Sequence, residues 1–104
     1  MKRIKLTDKV IIENLAELNF DDEILWTLEG GKLTKTFKFS DFQSAFGFMT
    51  MCAFYCEKIN HHPEWKNVYN RTHVQLTTHD VKGISYKDFD LAAKMDEIAD
   101  KFEE

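Results

Sequence analysis

The chain has 104 residues, of which 14 are Lys or Arg and 18 are Asp or Glu, so its net charge is -4. This length predicts a single domain over residues 1–104, and the acidic balance argues against direct binding of nucleic acid, which relies on clustered cations. A hydrophobic share of 43% excludes a disordered chain, and no apolar run approaches the ~20 residues that span a bilayer.

The first elements in chain order are a helix and a β-hairpin. Thr7 is the predicted N-cap of the helix, in which apolar residues then recur at helical spacing. Two apolar runs, 25–28 and 33–39, flank Gly30 and Gly31. Adjacent glycines supply the positive φ of a two-residue turn, so these runs are predicted to form a hairpin. Alternate residues of its second strand are polar, so we expect one face of the sheet to be wet or lightly covered.

A long second helix is predicted over residues 41–60, with a capping-box pattern formed by Ser40 and Gln43 at its start. Its core stripe is predicted to consist of Phe42, Ala45, Phe46, Met49, Cys52 or Ala53, and Cys56. Four further large apolar residues fall outside that stripe: Phe48, Met51, Phe54 and Tyr55. A helix that is apolar on more than one face is usually buried on more than one side. We therefore expect this second face to pack against another subunit, with ordinary core packing as the alternative.

The segment His61-His62-Pro63 is predicted to end this helix, because the residue before a proline is disfavoured in the α conformation. Short strands are then expected over 68–70 and 74–78. In the second of these strands apolar and polar residues alternate, which again indicates a sheet with one covered face.

The last element is a helix that begins with a second capping-box pattern, formed by Ser85 and Asp88. Its inward-facing residues are predicted to be Phe89, Ala92, Met95, Ala99 and Phe102. The complete order is αββαββα. This order predicts an α+β fold in which an antiparallel sheet carries helices on one face.

All four histidines lie between residues 61 and 79, which makes this segment the candidate site. Imidazole titrates near neutrality, as general acid–base catalysis requires. The alternative is that His61 caps the long helix and His62 is an ordinary surface residue. Glu57 lies one helical turn before His61, where it either bonds to that ring and fixes its tautomer or lies solvated on the helix surface.

Three other side chains near the histidines have two interpretations each. Asp88 suits acid–base chemistry, but its position three residues after Ser85 makes capping its first role. Trp65 and Tyr69 flank the histidines and either belong to the core or form a flat wall for an aromatic ligand. The sequence contains no nucleophile motif and no glycine-rich phosphate loop.

Cys52 and Cys56 are the only cysteines in the sequence, which favours a reducing compartment, the cytoplasm, over a disulfide framework. Together with His61, His62 and His79 they suggest a zinc site. Structural zinc, however, usually takes cysteine pairs two to four residues apart on a knuckle rather than one turn apart in a helix. Cysteines on an apolar stripe usually behave as small hydrophobic residues, so we predict that the protein binds no metal.

The run FKFSDFQSAFGFMTMCAFYCEKINHHPEWKNVYN, followed by VQLTTHDVKGIS and KDFDLA, resembles the pterin-4a-carbinolamine dehydratases over roughly Trp26 to Ala99. The family's signature falls on Glu57, His61, His62, Pro63, Trp65, Tyr69, His79, Gly83 and Asp88. A double His followed by Pro-Glu-Trp, with a further His at this separation, is a specific combination. The resemblance implies a four-stranded antiparallel sheet with three helices on one side. It also implies a hydro-lyase that eliminates water from 4a-hydroxytetrahydrobiopterin to give quinonoid dihydrobiopterin, which regenerates the cofactor of aromatic amino-acid hydroxylases.

The same resemblance implies roles for individual residues, without a metal or a cofactor. His61 and His79 would form an acid–base pair that serves opposite faces of the pterin, and His62 would bind and orient the substrate, which makes these three the catalytic set. The residues that would bind the substrate around them are Pro63, Thr78, Asp80 and Val81. The residues that would support the site are Glu57, Trp65 and Asp88.

Family members form dimers or tetramers, the tetramers through the long central helix, so the resemblance implies a homodimer or homotetramer through helix 41–60. Some animal relatives also act as dimerisation partners of a homeodomain transcription factor. The alternative function is therefore that of a dimerisation cofactor or coactivator-type binding module with little or no catalysis. The intact set of His61, His62 and His79 favours the enzyme, and no separate motif supports a transcription-factor partner.

Overall fold

The computed structural model describes residues 3–102. The elements are α1 (Asp8–Leu18), β1 (Thr27–Glu29), β2 (Lys32–Lys38), α2 (Phe42–Ile59), β3 (Glu64–Val68), β4 (Arg71–Leu76) and α3 (Tyr86–Asp100), with a one-turn 3-10 helix at His79–Val81 before α3. The four strands form one sheet in the order β1-β2-β4-β3, and each neighbouring pair is antiparallel. The predicted α+β class and the order αββαββα are confirmed.

The helix starts follow local capping signals, with one difference from the prediction. Thr7 caps α1, and Ser85 and Asp88 form the predicted capping box at the start of α3. At α2 the predicted pairing of Ser40 and Gln43 is wrong, because the N-cap is Asp41, whose carboxylate accepts a hydrogen bond from a backbone N–H of the first turn. Ser and Asp are equally good N-caps, so the sequence alone could not decide whether Ser40 or Asp41 caps α2.

The second hairpin begins earlier than predicted. Strand β3 already starts at Glu64, directly after the proline, and the two-residue turn is formed by Tyr69 and Asn70. Tyr69 adopts a left-handed backbone conformation, with φ of 50°, and the Asn70 side chain donates to the carbonyl of Phe39 at 2.9 Å. Glu64, Lys66 and Asn67 are polar and the strand has no fully buried residue, so hydrophobicity alone did not reveal it.

The core lies between one face of the sheet and the helices. Leu33, Phe37, Val74 and Leu76 are buried on the inner face, whereas the outer face presents exposed polar residues such as Lys38. Helices α2 and α3 contact the sheet, and α1 packs on α3. The expectation that one face of the sheet is open is confirmed.

The buried face of α2 includes Ala45, Cys52 and Cys56, as predicted, but differs from the prediction at the phenylalanines. Phe48, which was expected outside the core stripe, is completely buried. The centroid of its ring lies 4.7 Å from that of Phe37 and 5.0 Å from that of Phe39. Phe42 and Phe46, which were expected in the core, are instead 48% and 56% exposed. A helix with apolar residues on every side permits more than one stripe, and the aromatic rings on the sheet decide which stripe is buried.

A second apolar face of α2 nevertheless exists. Its exposed members are Phe42, Phe46, Met51 and Phe54; we call this set the α2 apolar face. Tyr55, which was expected to belong to it, is half-buried and donates a 2.8 Å hydrogen bond to Asp90 of α3. Within residues 3–102 no helix, α2 included, is long and apolar enough to cross a membrane.

Candidate active site

A cleft of about 210 Å3 lies beside the C-terminal end of α2. Its lining residues are Arg3, Asn60, His61, His62, Thr77, His79 and Asp80. Three other cavities formed by residues 3–102 are larger. Those of about 350 and 450 Å3 have no histidine in their lining, and the one of about 290 Å3 has a single histidine, His73. The smaller cleft is therefore the candidate active site, because it brings together three imidazole side chains, the group that most often serves in general acid–base catalysis. His73, the fourth histidine, lies in β4 and bonds to Thr36 on the open face of the sheet.

The end of α2 directs its two histidines in opposite directions. Asn60 adopts the left-handed conformation, with φ of 52°, and ends the helix, as is usual for a residue at this position. The backbone N–H of His61 then bonds to the carbonyl of Cys56 at 3.1 Å. As a result the His61 side chain is buried, whereas His62 is exposed.

His61 is fixed by a buried carboxylate. Its Nε2 atom lies 2.6 Å from Oδ1 of Asp88, and the two side chains are 5% and 0% exposed. The other oxygen of Asp88 accepts hydrogen bonds from the Thr78 hydroxyl at 2.7 Å and from the Ser85 backbone N–H at 2.9 Å. A carboxylate can only accept, so the Nε2 atom of His61 donates in this contact, and in the neutral form of the ring Nδ1 carries no proton. Asp88 thus caps α3, as predicted, and the same side chain also contacts His61.

Glu57 contacts a different histidine from the one expected. Its Oε1 atom lies 2.7 Å from Nε2 of His62, and both side chains are exposed. The expected contact with His61 is wrong, because the left-handed turn at Asn60 interrupts the helical spacing and turns His61 inward. Glu57 is therefore placed to orient His62.

His79 lies on the 3-10 helix and is held much less tightly than His61. Its side chain is 78% exposed, and its Nε2 atom lies 3.3 Å from Oε2 of Glu64. The other oxygen of Glu64 accepts a 2.6 Å hydrogen bond from Nζ of Lys32. This bond is the main reason why the pKa of Glu64 is lower than its ordinary value, so the carboxylate is ionised at neutral pH.

The remaining predicted residues surround the cleft at different depths. Asp80 lines the cleft, whereas Pro63, Trp65 and Val81 are half-buried and do not line it. Thr78 is completely buried behind the cleft, where its hydroxyl lies 2.6 Å from that of Ser85 and donates to Asp88. The backbone N–H of Thr78 bonds to the carbonyl of Gly83 at 2.8 Å, which closes the loop that carries His79.

Sequence reasoning missed Arg3 and Glu64. The Arg3 guanidinium donates to Oδ2 of Asp80 at 3.0 Å and to the carbonyl of Asn60, so it connects the end of α2 to the 3-10 helix. A single arginine ahead of the first predicted helix gives no signal of this role. Glu64 stands next to Pro63 within the motif, and recognising a strand that starts there would have drawn attention to it.

The two cysteines are buried in the core, as their position on the apolar stripe suggested. Burial raises the pKa of Cys52 to about 12 and that of Cys56 to about 11. Both are therefore thiols at neutral pH, whereas metals bind thiolates. In the part of the chain from residue 3 to residue 102, no three His, Cys, Asp or Glu side chains are grouped so that they could hold a metal ion.

Comparison with known proteins gives a consistent result. The family described as Pterin 4 alpha carbinolamine dehydratase matches residues 4–98. A Sinorhizobium medicae protein is 56% identical over 102 residues, which cover 96% of this chain and 92% of its own length. A Solibacter usitatus protein is 60% identical over 74 residues, which cover 71% of this chain and 78% of its own length. Both relatives carry the provisional name pterin-4-alpha-carbinolamine dehydratase.

A solved structure extends the comparison to the fold. The crystal structure of a transcriptional coactivator/pterin dehydratase from Brucella melitensis superposes with a TM-score of 0.83 at 43% identity, and the match covers 92% of this chain and 99% of that one. Sequence and fold thus agree over nearly the whole chain, and the three histidines of the cleft lie within the residues that the family matches. The chain therefore belongs to the pterin-4a-carbinolamine dehydratase family and is an enzyme of the hydro-lyase class.

Proposed function

We propose that the protein eliminates water from 4a-hydroxytetrahydrobiopterin to give quinonoid dihydrobiopterin, and so recycles tetrahydrobiopterin for aromatic amino-acid hydroxylases in the cytoplasm. The observation that carries this proposal is the arrangement of His61 and His79 on one cleft, each with its Nε2 atom facing a carboxylate. Membership of the dehydratase family supports the substrate class.

The reaction needs one proton delivered and one removed. The C4a–O bond breaks as the hydroxyl oxygen receives a proton and leaves as water, while N5 loses its proton and the C4a=N5 double bond forms. One imidazole of the pair His61 and His79 acts as the acid and the other as the base, which general acid–base catalysis near neutral pH permits. Proton exchange with solvent then restores both rings, and no metal or cofactor enters these steps.

The other site residues hold the pterin in place. His62, oriented by Glu57, binds the ring system at the open side of the cleft. Asp80, with Pro63, Thr78 and Val81 around it, shapes the pocket and offers backbone groups to the amide edge of the pterin. Behind them Asp88 fixes His61, and Trp65 of β3 packs against the core.

The test is the dehydration rate of 4a-hydroxytetrahydropterin near pH 7, corrected for the uncatalysed reaction. We expect His61→Ala and His79→Ala each to lower kcat about 100-fold or more, since general acid–base groups contribute 10²- to 10⁴-fold. His73→Ala is the matched control, because that histidine lies outside the cleft, and it should retain the wild-type rate. Full activity in the double variant of His61 and His79 would refute their roles, and no acceleration by the wild type would refute the substrate.

The α2 apolar face supports a second proposal, that the protein forms a homodimer or homotetramer through helix 41–60. Four large apolar side chains are exposed there on one helix, and exposed apolar patches commonly mark protein interfaces. The same surface would serve a dimerisation cofactor, and the related Brucella structure is described as a transcriptional coactivator as well as a dehydratase. A transcription-factor partner is the alternative function. It would be favoured if the protein bound such a partner through this face and did not accelerate the dehydration.

A further inference from the structure

We propose that Glu64 is a positioning residue for His79 and that Lys32 holds Glu64 in place. This inference rests on the proposed acid–base role of His79. The three side chains come from three elements, since Lys32 begins β2, Glu64 begins β3 and His79 begins the 3-10 helix. They form a chain of contacts in which Nζ of Lys32 lies 2.6 Å from Oε1 of Glu64, and Oε2 of Glu64 lies 3.3 Å from Nε2 of His79.

His79 needs such a partner more than His61 does. The His61 ring is enclosed by the core and fixed by Asp88, whereas His79 is exposed on a single turn of 3-10 helix. A side chain in that position samples several rotamers unless a contact selects one. Among residues 3–102, Glu64 supplies the only carboxylate within ion-pair distance of the His79 ring.

The contact also selects which ring nitrogen is available for the reaction. A carboxylate facing Nε2 favours the tautomer with its proton on that atom, which leaves Nδ1 as the acceptor. Asp88 imposes the same arrangement on His61, where Nε2 again faces the carboxylate. Both members of the acid–base pair would therefore present Nδ1 to the pterin. The 3.3 Å separation at His79 would shorten when substrate fills the cleft, as contacts of catalytic groups often do.

Glu64 and Lys32 contribute little to folding, which makes the inference testable by activity. Their side chains are 39% and 32% exposed, and ion pairs at such positions add little to stability. Substitution of either residue should leave the protein folded, so a change in rate can be assigned to the position of His79.

The experiment compares Glu64→Gln and Lys32→Met with the wild type in the dehydration of 4a-hydroxytetrahydropterin. We expect Glu64→Gln to lower kcat about tenfold, a part of the 10²- to 10⁴-fold effect of a general acid or base, with KM changed less than about twofold. Lys32→Met should lower kcat about threefold, because it loosens Glu64 without removing the carboxylate. Glu13→Gln and Lys38→Met are the controls, since both side chains are exposed away from the cleft, and both should keep the wild-type kcat.

Two further measurements separate this inference from the proposed function. In a His79→Ala background, Glu64→Gln should cause no additional loss, because residues that act through one another are not additive. NMR of the imidazole nitrogens should show the Nε2–H tautomer of His79 in the wild type and a mixture in Glu64→Gln. If His79→Ala keeps full activity, the proposed role of His79 fails together with this inference. Two results would overturn only the role of Glu64, provided that His79→Ala loses activity. One is that Glu64→Gln keeps the wild-type kcat. The other is that Glu64→Gln lowers kcat by the same factor in the His79→Ala background as in the wild type.

Discussion

The Nε2 atom of His61 and the Oδ1 atom of Asp88 lie 2.6 Å apart in the interior of the protein. The same carboxylate completes the capping box that begins α3. One side chain thus fixes the ring of a proposed catalytic residue and satisfies the backbone at the start of a helix. Its removal should affect the activity and the stability together.

We therefore expect Asp88→Asn to lower kcat at least tenfold and to reduce the free energy of unfolding by about 2 kcal/mol, because a buried hydrogen-bond network loses its charged acceptor. The amide keeps the size of the carboxylate but loses its charge and one acceptor. Steady-state kinetics and urea unfolding would measure the two effects. As the control, Asp90→Asn on the same helix alters a half-buried carboxylate outside the cleft, and wild-type kinetics in Asp88→Asn would contradict the link to His61.

A second prediction concerns the ion pair between Lys35 and Asp96, whose Nζ and Oδ1 atoms lie 2.8 Å apart. Burial raises the pKa of Asp96 although Lys35 and Trp26 act in the opposite direction. Lys35→Met removes the counter-charge and should reduce the free energy of unfolding at neutral pH by about 3 kcal/mol. The measurement is urea unfolding of the variant and the wild type.

The pH dependence of Lys35→Met follows from the raised pKa of Asp96. A group whose pKa is raised by folding contributes stability below its unfolded value, here 3.8, and loses that contribution as pH rises through the folded value. The deficit of the variant should therefore shrink as pH falls from 7 toward 4, because a protonated Asp96 needs no counter-charge. A deficit independent of pH would show that Lys35 acts through packing alone, and Lys38→Met should show no deficit at all.

The third prediction concerns the buried thiols, whose pKa values are raised from 9.0 to about 12 for Cys52 and about 11 for Cys56, mainly by burial. Above pH 9 the unfolded chain loses these protons while the folded protein keeps them. Their contribution to stability is therefore complete below pH 9 and falls as pH rises toward 12. Urea unfolding between pH 8 and pH 11 should show this decline, and the double variant Cys52→Ala, Cys56→Ala should show a flatter one. Rapid reaction of the native protein with a thiol reagent at pH 8 would contradict their burial.

The fourth prediction tests self-association through the α2 apolar face. Phe46 is exposed on this face, so Phe46→Asp should leave the fold intact while it places a charge in the proposed interface, which is costly. We expect light scattering at micromolar concentration to give the mass of an oligomer for the wild type and of one chain for the variant. The control is Ile12→Asp, which alters an exposed apolar residue on α1 and should remain oligomeric. A wild type with the mass of one chain would refute the proposed assembly.

The sequence predicted those parts of the fold that depend on local signals. The caps at Thr7 and Ser85 and the turn at Gly30-Gly31 could be read directly, because each depends on residues adjacent in the chain. The buried face of α2 could not be predicted in this way, because apolar residues occur on every side of this helix. Which of them became buried was decided by Phe37 of β2 and by Phe39 directly after that strand, because both rings meet Phe48 only in the folded protein.

In the candidate site, the resemblance pointed to residues that the structure brings together, but not to the contacts between them. His61, His62 and His79 do line one cleft. Helical spacing allowed Glu57 either to bond to His61 or to lie solvated on the helix surface. The left-handed residue Asn60 instead turned His61 inward and left Glu57 beside His62. A backbone conformation of this kind leaves no distinct pattern in one sequence.

The two proposed catalytic histidines differ in how firmly the fold holds them, and this difference has a consequence for the comparison of relatives. Asp88 is required for the start of α3, so a descendant that gave up catalysis would still be under selection to retain it, and with it a partner for His61. His79, by contrast, is exposed and contributes no contact to the core. If the reaction were no longer under selection, the fold would tolerate almost any residue at position 79. His79, rather than the buried pair of His61 and Asp88, would therefore distinguish an active dehydratase from a binding module with the same fold.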